Sequence, residues 1–112
     1  GRGNDIINGG NGDDVINGGG GKDIISGGKG RDRLAGDAGS DTFVFDGNAK
    51  SGRDVIQDFE VGVDKLMFEN LGLDDLTITQ KNQNTLIEWS NGEALARLVQ
   101  PSDFGPNDFL FG

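Results

Sequence analysis

The feature that most constrains the fold of this chain is a nine-residue period that runs through its first 44 residues. From Gly9 the sequence reads GGNGDDVIN, GGGGKDIIS, GGKGRDRLA and GDAGSDTFV, and the preceding GRGNDIIN is the same unit without its first residue. The fourth position is always glycine, the sixth is always aspartate and the eighth is always a large apolar residue. A flexible Gly/Ser linker would not keep aspartate and an apolar residue in phase. The period therefore predicts a packed repeat architecture.

Each unit divides into a glycine-rich turn and a strand of three residues. Glycine allows positive φ and a close approach of backbones in the turn. In the strand the middle side chain points inward and its two neighbours point outward. Two units return the chain above its starting point, which predicts coils stacked at roughly 4.8 Å. Asp5, Asp23 and Asp41 should then lie along one side of the stack, and Asp14 and Asp32 along the other.

The stacked aspartates predict a metal ion. Carboxylates about 5 Å apart repel one another unless a cation lies between them. The available ligands are carboxylate and backbone oxygens, which favour a hard ion with six or more ligands, so we expect several Ca²⁺ ions rather than Mg²⁺ or Zn²⁺. Because each unit buries only one large apolar residue, we expect the repeats to be disordered without calcium.

The repeats resemble those of a known family. They match GGxGxDxUx, where U is a large apolar residue, which is the motif of the RTX proteins that Gram-negative bacteria secrete by type I export. The resemblance implies a parallel β-roll with calcium held between turns by aspartate carboxylates and loop carbonyls. The metal ligands it implies are Asp5, Asp14, Asp23, Asp32 and Asp41, with backbone oxygens at Gly1, Gly3, Gly10, Gly12, Gly19, Gly21, Gly28, Gly30 and Gly39. Asp37 replaces the expected second glycine, and aspartate tolerates the left-handed conformation better than most residues.

The rest of the chain has no period of nine. Candidate strands cover residues 54–59, 65–68, 76–80, 85–89 and 94–99, with turns expected at Asn91-Gly92 and at residues 81–84. They predict an antiparallel β-meander that caps the roll. We therefore expect an all-β fold with a parallel β-roll in residues 1–44 and an antiparallel cap in residues 45–112. The segment SGRDVIQDFEVGVDKLMF resembles the part that follows the repeats in serralysin-type metalloproteases and in the R-modules of mannuronan epimerases.

Several acidic and apolar residues have two interpretations. Asp54, Asp58 and Asp64 could form an additional calcium site or be acids of turns and strand edges. Trp89 could be a platform for a sugar ring or a core residue. Ile6 and Ile24 flank inward-facing residues and should point outward, either as a docking surface or as isolated apolar residues.

A basic group interrupts the acidic repeats. Lys29, Arg31 and Arg33 occupy alternate positions of one unit, and Lys22 lies in the unit before it. These four residues could bind an anionic polysaccharide such as alginate, which the likeness to R-modules would allow. Alternatively, they offset neighbouring aspartates and discourage edge-to-edge pairing of sheets.

The composition of the chain excludes several classes of function. The net charge is −9, and the chain has no cysteine and no histidine. An acidic chain is a poor binder of nucleic acid, no apolar run is long enough to span a membrane, and no catalytic triad or zinc centre based on histidine or cysteine can form. We therefore expect a module without catalytic residues, attached to an upstream catalytic domain of a longer chain.

The expected module belongs to a secreted, extracellular protein. It would leave the cell unfolded through the type I secretion machinery and fold outside on binding calcium. The ending NDFLFG is similar to the C-terminal export signal of serralysin-type proteins, although a final β-strand would look the same. The alternative function is a carbohydrate-binding module for an anionic polysaccharide.

Overall fold

The structure is a computed structural model that describes residues 3–46, 52–60, 63–97 and 108–111. These residues form an almost entirely β fold. The strands are β1 (Ile6–Asn8), β2 (Val15–Asn17), β3 (Ile24–Ser26), β4 (Arg33–Ala35), β5 (Thr42–Asp46), β6 (Gly52–Ile56), β7 (Lys65–Glu69), β8 (Thr77–Lys81), β9 (Asn84–Trp89), β10 (Gly92–Ala96) and β11 (Phe109–Phe111). A 3-10 helix covers Leu73–Asp75. No helix within the described ranges is long and apolar enough to cross a membrane.

The repeat units alternate between two sheets. One sheet has the order β1-β3-β5-β7-β11 and the other has the order β2-β4-β6-β10-β9-β8. Successive strands of the repeats are parallel, with Ile6 opposite Ile24 in the first sheet and Val15 opposite Arg33 in the second. The all-β fold and the predicted parallel β-roll are confirmed.

The core lies between the two sheets and is formed by the eighth position of each unit. Ile16, Ile25, Leu34 and Phe43 are buried, and Ile7 packs against them with partial exposure. Their neighbours in the strands point outward because successive side chains of a strand alternate between its faces. Ile6 and Ile24 do so as predicted, with 83% and 45% of their surfaces exposed.

Aromatic side chains continue this core towards the C-terminal strands. The ring centroid of Trp89 lies 5.4 Å from that of Phe45 and 5.6 Å from that of Phe68, and Phe109 stacks on Phe68 at 6.2 Å. Trp89 is buried in this cluster. Of the two interpretations of Trp89, the structure therefore supports the core residue.

The predicted antiparallel meander is wrong for the strands that directly follow the repeats. Strand β6 is parallel to both β4 and β10, and β7 is parallel to both β5 and β11. Among the described strands, antiparallel pairing is confined to β8, β9 and β10. Residues 52–54 (Gly-Arg-Asp), at the start of β6, have the same sequence pattern as the end of a repeat loop. Strand β6 therefore forms part of the next coil, and the roll continues although the period of nine is lost.

The division at residues 44 and 45 falls inside β5. It stays a prediction about which segments fold together, since strand pairing alone does not define folding units.

Both hairpin turns contain two residues. Gly92 is opposite Trp89, which places the turn at Ser90 and Asn91, one residue before the predicted position. Lys81 is opposite Asn84, so residues 82 and 83 form the other turn, which is shorter than expected. Asn82 permits it by taking a φ of 59°, in the left-handed region that asparagine tolerates.

Candidate metal centre

An aspartate directly precedes β7 and each strand of the repeats, and another lies within β6; these aspartates form two columns. Column 1 lies along the first sheet and column 2 lies along the second, in the order that the strand registers impose. Column 1 contains Asp5, Asp23, Asp41 and Asp64, and column 2 contains Asp14, Asp32 and Asp54. The two-sided arrangement of the five repeat aspartates is the predicted one, and Asp54 and Asp64 extend it.

A ladder of hydrogen bonds connects the aspartates within each column. The backbone N–H of each aspartate donates to the Oδ1 of the aspartate one coil later. The N···O distances are 3.0 Å from Asp5 to Asp23, 3.0 Å from Asp23 to Asp41, 2.9 Å from Asp41 to Asp64, 2.9 Å from Asp14 to Asp32 and 3.1 Å from Asp32 to Asp54. One carboxylate oxygen of each later aspartate is thus occupied by backbone, and its position is fixed.

The second carboxylate oxygen has no such partner. The Oδ2 atoms of Asp14, Asp23, Asp32 and Asp41 are buried and accept no hydrogen bond. A buried polar group without a partner costs about 1–3 kcal/mol, and more when it is charged. Four such atoms at the same position of four successive units therefore favour a positively charged ligand at this position.

The first glycine of each unit makes room beside this oxygen. A methyl group added at Gly9 would lie 2.7 Å from the Oδ2 of Asp14 and 2.8 Å from the carbonyl oxygen of Gly27 in the next coil. The same approach recurs five residues before each aspartate, at Gly18, Gly27 and Gly36. Only glycine fits there, because any Cβ would overlap the carboxylate. Sequence reasoning had not included this first position among the site residues, although its regular recurrence was the available signal.

The donor set fits a calcium ion. It consists of carboxylate and carbonyl oxygens, the ligands that Ca²⁺ prefers. In the described part of the chain, no three acidic, histidine or cysteine side chains converge to hold a metal by themselves. An ion between coils would therefore need backbone oxygens as well as aspartate.

Burial shifts the titration of these carboxylates. Desolvation, with repulsion from Asp64 and Asp23, raises the pKa of Asp41 from 3.8 to about 6. Desolvation and repulsion from Asp32 raise the pKa of Asp54 to about 8. A carboxyl group whose folded pKa lies above its unfolded value stabilises the fold below the unfolded value, and this contribution is lost as the pH rises through the folded pKa. The contribution of these two carboxyl groups to folding is therefore lost as the pH rises through about 6 for Asp41 and about 8 for Asp54, unless a cation offsets their charge.

The other predicted glycines shape the loops. The second and fourth positions have positive φ, as at Gly10 (80°) and Gly12 (92°). Asp37 takes the second position with a φ of 62°, in the predicted left-handed conformation. The carbonyl oxygen of Gly10 accepts a hydrogen bond from the N–H of Lys29 at 3.1 Å.

The remaining loop carbonyls follow the stack. Those of Gly3, Gly12, Gly21 and Gly30 each lie against the fourth-position glycine of the next coil. The predicted ligand Gly1 lies outside the described residues. The assignment of these backbone oxygens to calcium stays a prediction.

Polar side chains at the fifth position connect neighbouring loops. The Oδ1 of Asp13 accepts a hydrogen bond from the N–H of Arg31 at 2.9 Å, and that of Asn4 accepts one from the N–H of Lys22 at 2.8 Å. Because the fifth position varies between units, the sequence alone predicts that the Asp13 side chain is only solvated. The structure corrects this interpretation, because position 5 stacks on position 5 of the next coil.

The structure places Asp54, Asp58 and Asp64 in three different positions. Asp54 belongs to column 2 and Asp64 to column 1. Asp58 instead accepts hydrogen bonds from the N–H groups of Gly36 (3.0 Å) and Asp37 (2.8 Å), and so caps the last loop of the repeats. Among the described residues, the three carboxylates do not converge on one point, although the charge of Asp58 acts on Asp64.

The basic residues are also distributed over different surfaces. Arg31 and Arg33 line a groove of about 410 Å³ together with Arg53, which sequence reasoning had not connected with them. Lys29 lines a separate cavity beside Asp54. Lys22 lies with Lys65 on the side of column 1. The motif could have identified Arg53, because this residue directly precedes Asp54 and so occupies the fifth position of the motif.

Comparison with known proteins agrees with this geometry. The model of the RTX calcium-binding nonapeptide repeat matches the chain in four copies, over residues 1–25 and 17–49. No curated protein sequence matches the chain.

Among solved structures, the extracellular lipase LipA from Serratia marcescens is similar, with a TM-score of 0.70 and 25% sequence identity. The similarity covers 96% of this chain and 21% of the lipase, so the chain spans about a fifth of that protein's length.

Proposed function

We propose that the chain is the calcium-folded module of a larger secreted bacterial protein, because residues 1–49 match the RTX calcium-binding nonapeptide repeat. RTX nonapeptide repeats bind calcium, and proteins that contain them are typically secreted by type I systems of Gram-negative bacteria. The proposed site residues are the aspartates of columns 1 and 2 with the loop carbonyls beside them.

The observation that carries the proposal is the set of four buried Oδ2 atoms without a hydrogen-bond partner. Each lies against a first-position glycine, and beside Gly9 a carbonyl oxygen of the next coil approaches as well. The aspartates and carbonyls of neighbouring coils would hold Ca²⁺, which would neutralise the columns and connect the coils. The ion's role is structural, and no reaction is assigned to these residues.

Calcium-dependent folding is the first test. We expect the circular dichroism spectrum of the chain in a chelator to lack β-structure and to gain it when millimolar calcium is added. Asp32→Asn should raise the calcium concentration at the midpoint of this transition, because it weakens one ligand of column 2. An identical spectrum in chelator and in calcium would contradict the proposal.

Secretion and support of a parent domain extend the proposal. A chain that is unfolded at low calcium can pass through an export channel and fold where calcium is plentiful. We expect residues 45–112, which end in NDFLFG, to direct export of a fused reporter through a type I system. The same fusion without residues 107–112 is the control, and equal export of both fusions would contradict an address in that segment.

An anionic polysaccharide is the second candidate partner. The four predicted basic residues do not share one surface, which weakens the prediction that all four bind the polysaccharide together. Arg31 and Arg33 nevertheless share a groove, and among the described residues their guanidinium groups have no ion-pair partner. This pair, rather than the group of four, supports the second candidate.

A further inference from the structure

Three asparagine–glycine pairs lie close together within residues 8–18, namely Asn8-Gly9, Asn11-Gly12 and Asn17-Gly18. An asparagine side chain loses its amide when the backbone nitrogen of the next residue attacks its Cγ. Glycine hinders this attack least, because it has no Cβ and adopts many backbone conformations. Since the three pairs have the same dipeptide sequence, a difference in their reactivity must come from the fold.

The reaction is a deamidation that needs only water. The glycine nitrogen forms a bond to Cγ, the bond between Cγ and Nδ2 breaks, and the amide group leaves as ammonia with the proton of the glycine N–H. Water then opens the cyclic imide at either of its carbonyl groups. Opening at one carbonyl gives aspartate, and opening at the other gives isoaspartate, whose main chain contains an additional CH2 group.

The fold holds the attacking nitrogen of the two pairs that lie at strand ends. The N–H of Gly9, which follows β1, donates to the carbonyl oxygen of Ser26 at 2.9 Å. The N–H of Gly18, which follows β2, donates to the carbonyl oxygen of Ala35 at 2.8 Å. Both bonds connect neighbouring coils, so these nitrogens can turn towards Cγ only when the coil opens locally.

The side chains of the same two pairs are also held. The Oδ1 of Asn8 accepts a hydrogen bond from the N–H of Gly10 at 3.0 Å, and the Oδ1 of Asn17 accepts one from the N–H of Gly19 at 3.0 Å. Such bonds to the backbone two residues later fix the side-chain amide in a local turn. Both reacting groups of each strand-end pair are therefore restrained.

The third pair lies in the loop between β1 and β2 and lacks these restraints. All three asparagines are exposed, so exposure alone does not distinguish them. Among the described residues, however, the N–H of Gly12 donates no hydrogen bond. The attack of this nitrogen on Asn11 therefore requires no strand to separate from its neighbour.

The loop around Asn11 also contacts the next coil. The carbonyl oxygen of Gly10 accepts a hydrogen bond from the N–H of Lys29 at 3.1 Å, and that of Gly12 lies against Gly30. An additional CH2 group in the main chain at residue 11 would displace these two carbonyl groups relative to each other. The stacking of this loop, which leads to Asp14 of column 2, would then be weakened.

We propose that Asn11 is a deamidation site of the folded protein, and that folding on calcium protects Asn8 and Asn17 from the same reaction. The response to calcium rests on the proposed function, whereas the order of reactivity among the three asparagines rests on the hydrogen bonds of the fold alone.

The test follows all three sites in one chain. The protein is aged at mildly alkaline pH in saturating calcium, in chelator and in urea, and tandem mass spectrometry of proteolytic fragments measures aspartate and isoaspartate at each position. In urea the three rates should agree within about threefold, because the following residue is glycine in every case. In calcium, Asn8 and Asn17 should react about tenfold or more slowly than in urea, while Asn11 stays within about threefold of its rate in urea.

Asn11→Gln is the matched control, because glutamine keeps the amide but must form a larger ring. This variant should form no product at residue 11 and should keep the wild-type rates at Asn8 and Asn17. Ageing in calcium should raise the calcium midpoint of folding for the wild-type chain and leave that of the variant unchanged. A rise that the variant does not prevent would contradict the assignment to Asn11.

The failures of this inference and of the proposed function are distinguishable. Equal slowing of all three sites in calcium, or no slowing at Asn8 and Asn17, would overturn the inference. If the rates in chelator equal those in calcium and differ from those in urea, the chain folds without calcium. That result would refute the proposed function and leave the order of the three sites standing.

Discussion

The first glycine of each repeat is the residue that most directly connects the sequence to the proposed metal site. It is adjacent to the Oδ2 of the aspartate five residues later, and this approach is possible only without a side chain. The second and fourth glycines serve a different purpose, since they adopt positive φ. Two physical requirements therefore keep glycine in the same loop.

A pair of alanine substitutions tests this distinction. Gly27→Ala places a methyl group against the Oδ2 and Cβ of Asp32, whereas Gly20→Ala places one where no atom lies within 4 Å. We expect the first variant to lose about 1–3 kcal/mol of stability in calcium, as overpacked sites do. The second should remain within about 0.5 kcal/mol of the wild type.

Chemical denaturation in saturating calcium measures both effects, and a calcium titration followed by circular dichroism compares the midpoints. Equal stability of the two variants would contradict the role given to the first glycine.

At the scale of secondary structure, the repeats were predictable and the strands after them only partly so. The strict period placed β1 to β5 in alternating sheets and placed Ile6 and Ile24 outward. It could not place β6 and β7, because the hydrogen-bonded aspartates are separated by 22 residues from Asp32 to Asp54 and by 23 from Asp41 to Asp64, instead of 18. The additional residues interrupt the period of nine in the sequence, but the aspartates still stack on one another in the structure.

The hydrogen bonds of Asp58 were even harder to predict from the sequence. Its partners are the N–H groups of Gly36 and Asp37, which lie 22 and 21 residues earlier in the chain. No local motif marks such a contact. It joins the last repeat loop to the segment that follows β6.

Asp58→Ala tests this connection. The substitution leaves the N–H of the buried Gly36 without an acceptor, which should cost about 1–3 kcal/mol. Because Gly36 lies against the Oδ2 of Asp41, the calcium midpoint should rise as well. Asp74→Ala removes an exposed carboxylate of the 3-10 helix and is the matched control, with an expected change within about 0.5 kcal/mol. Urea unfolding in calcium measures both, and a loss in the control as large as that of Asp58→Ala would argue against a specific cap.

The whole molecule combines a small core with a large negative charge. Its net charge is −9 and only 33% of its residues are hydrophobic. Self-repulsion destabilises a compact state of this kind, and the raised pKa values of Asp41 and Asp54 show where the repulsion and burial are concentrated. A cation that binds the columns would reduce the repulsion between the carboxylates and would also offset the cost of burying them.

Ion selectivity should follow from the backbone geometry. Ca²⁺ accepts six to eight oxygens in irregular arrangements, whereas Mg²⁺ requires a near-octahedral shell and retains its waters. We expect magnesium to leave the chain unfolded at concentrations at which calcium folds it fully. Circular dichroism titrations with each ion at constant ionic strength provide the comparison. Equal midpoints for the two ions would show that charge neutralisation alone is sufficient.

The hydrogen bonds of the aspartate ladder all point in the same direction along the roll. Every hydrogen bond in it runs from the backbone of one coil to the carboxylate of the coil that follows. Within this ladder, an N–H group of each coil depends on an acceptor in the coil that follows, so the last repeat aspartates Asp32 and Asp41 depend on Asp54 and Asp64. The last repeats must therefore be inherited together with the segments after them, which supply the carboxylates that close the ladder.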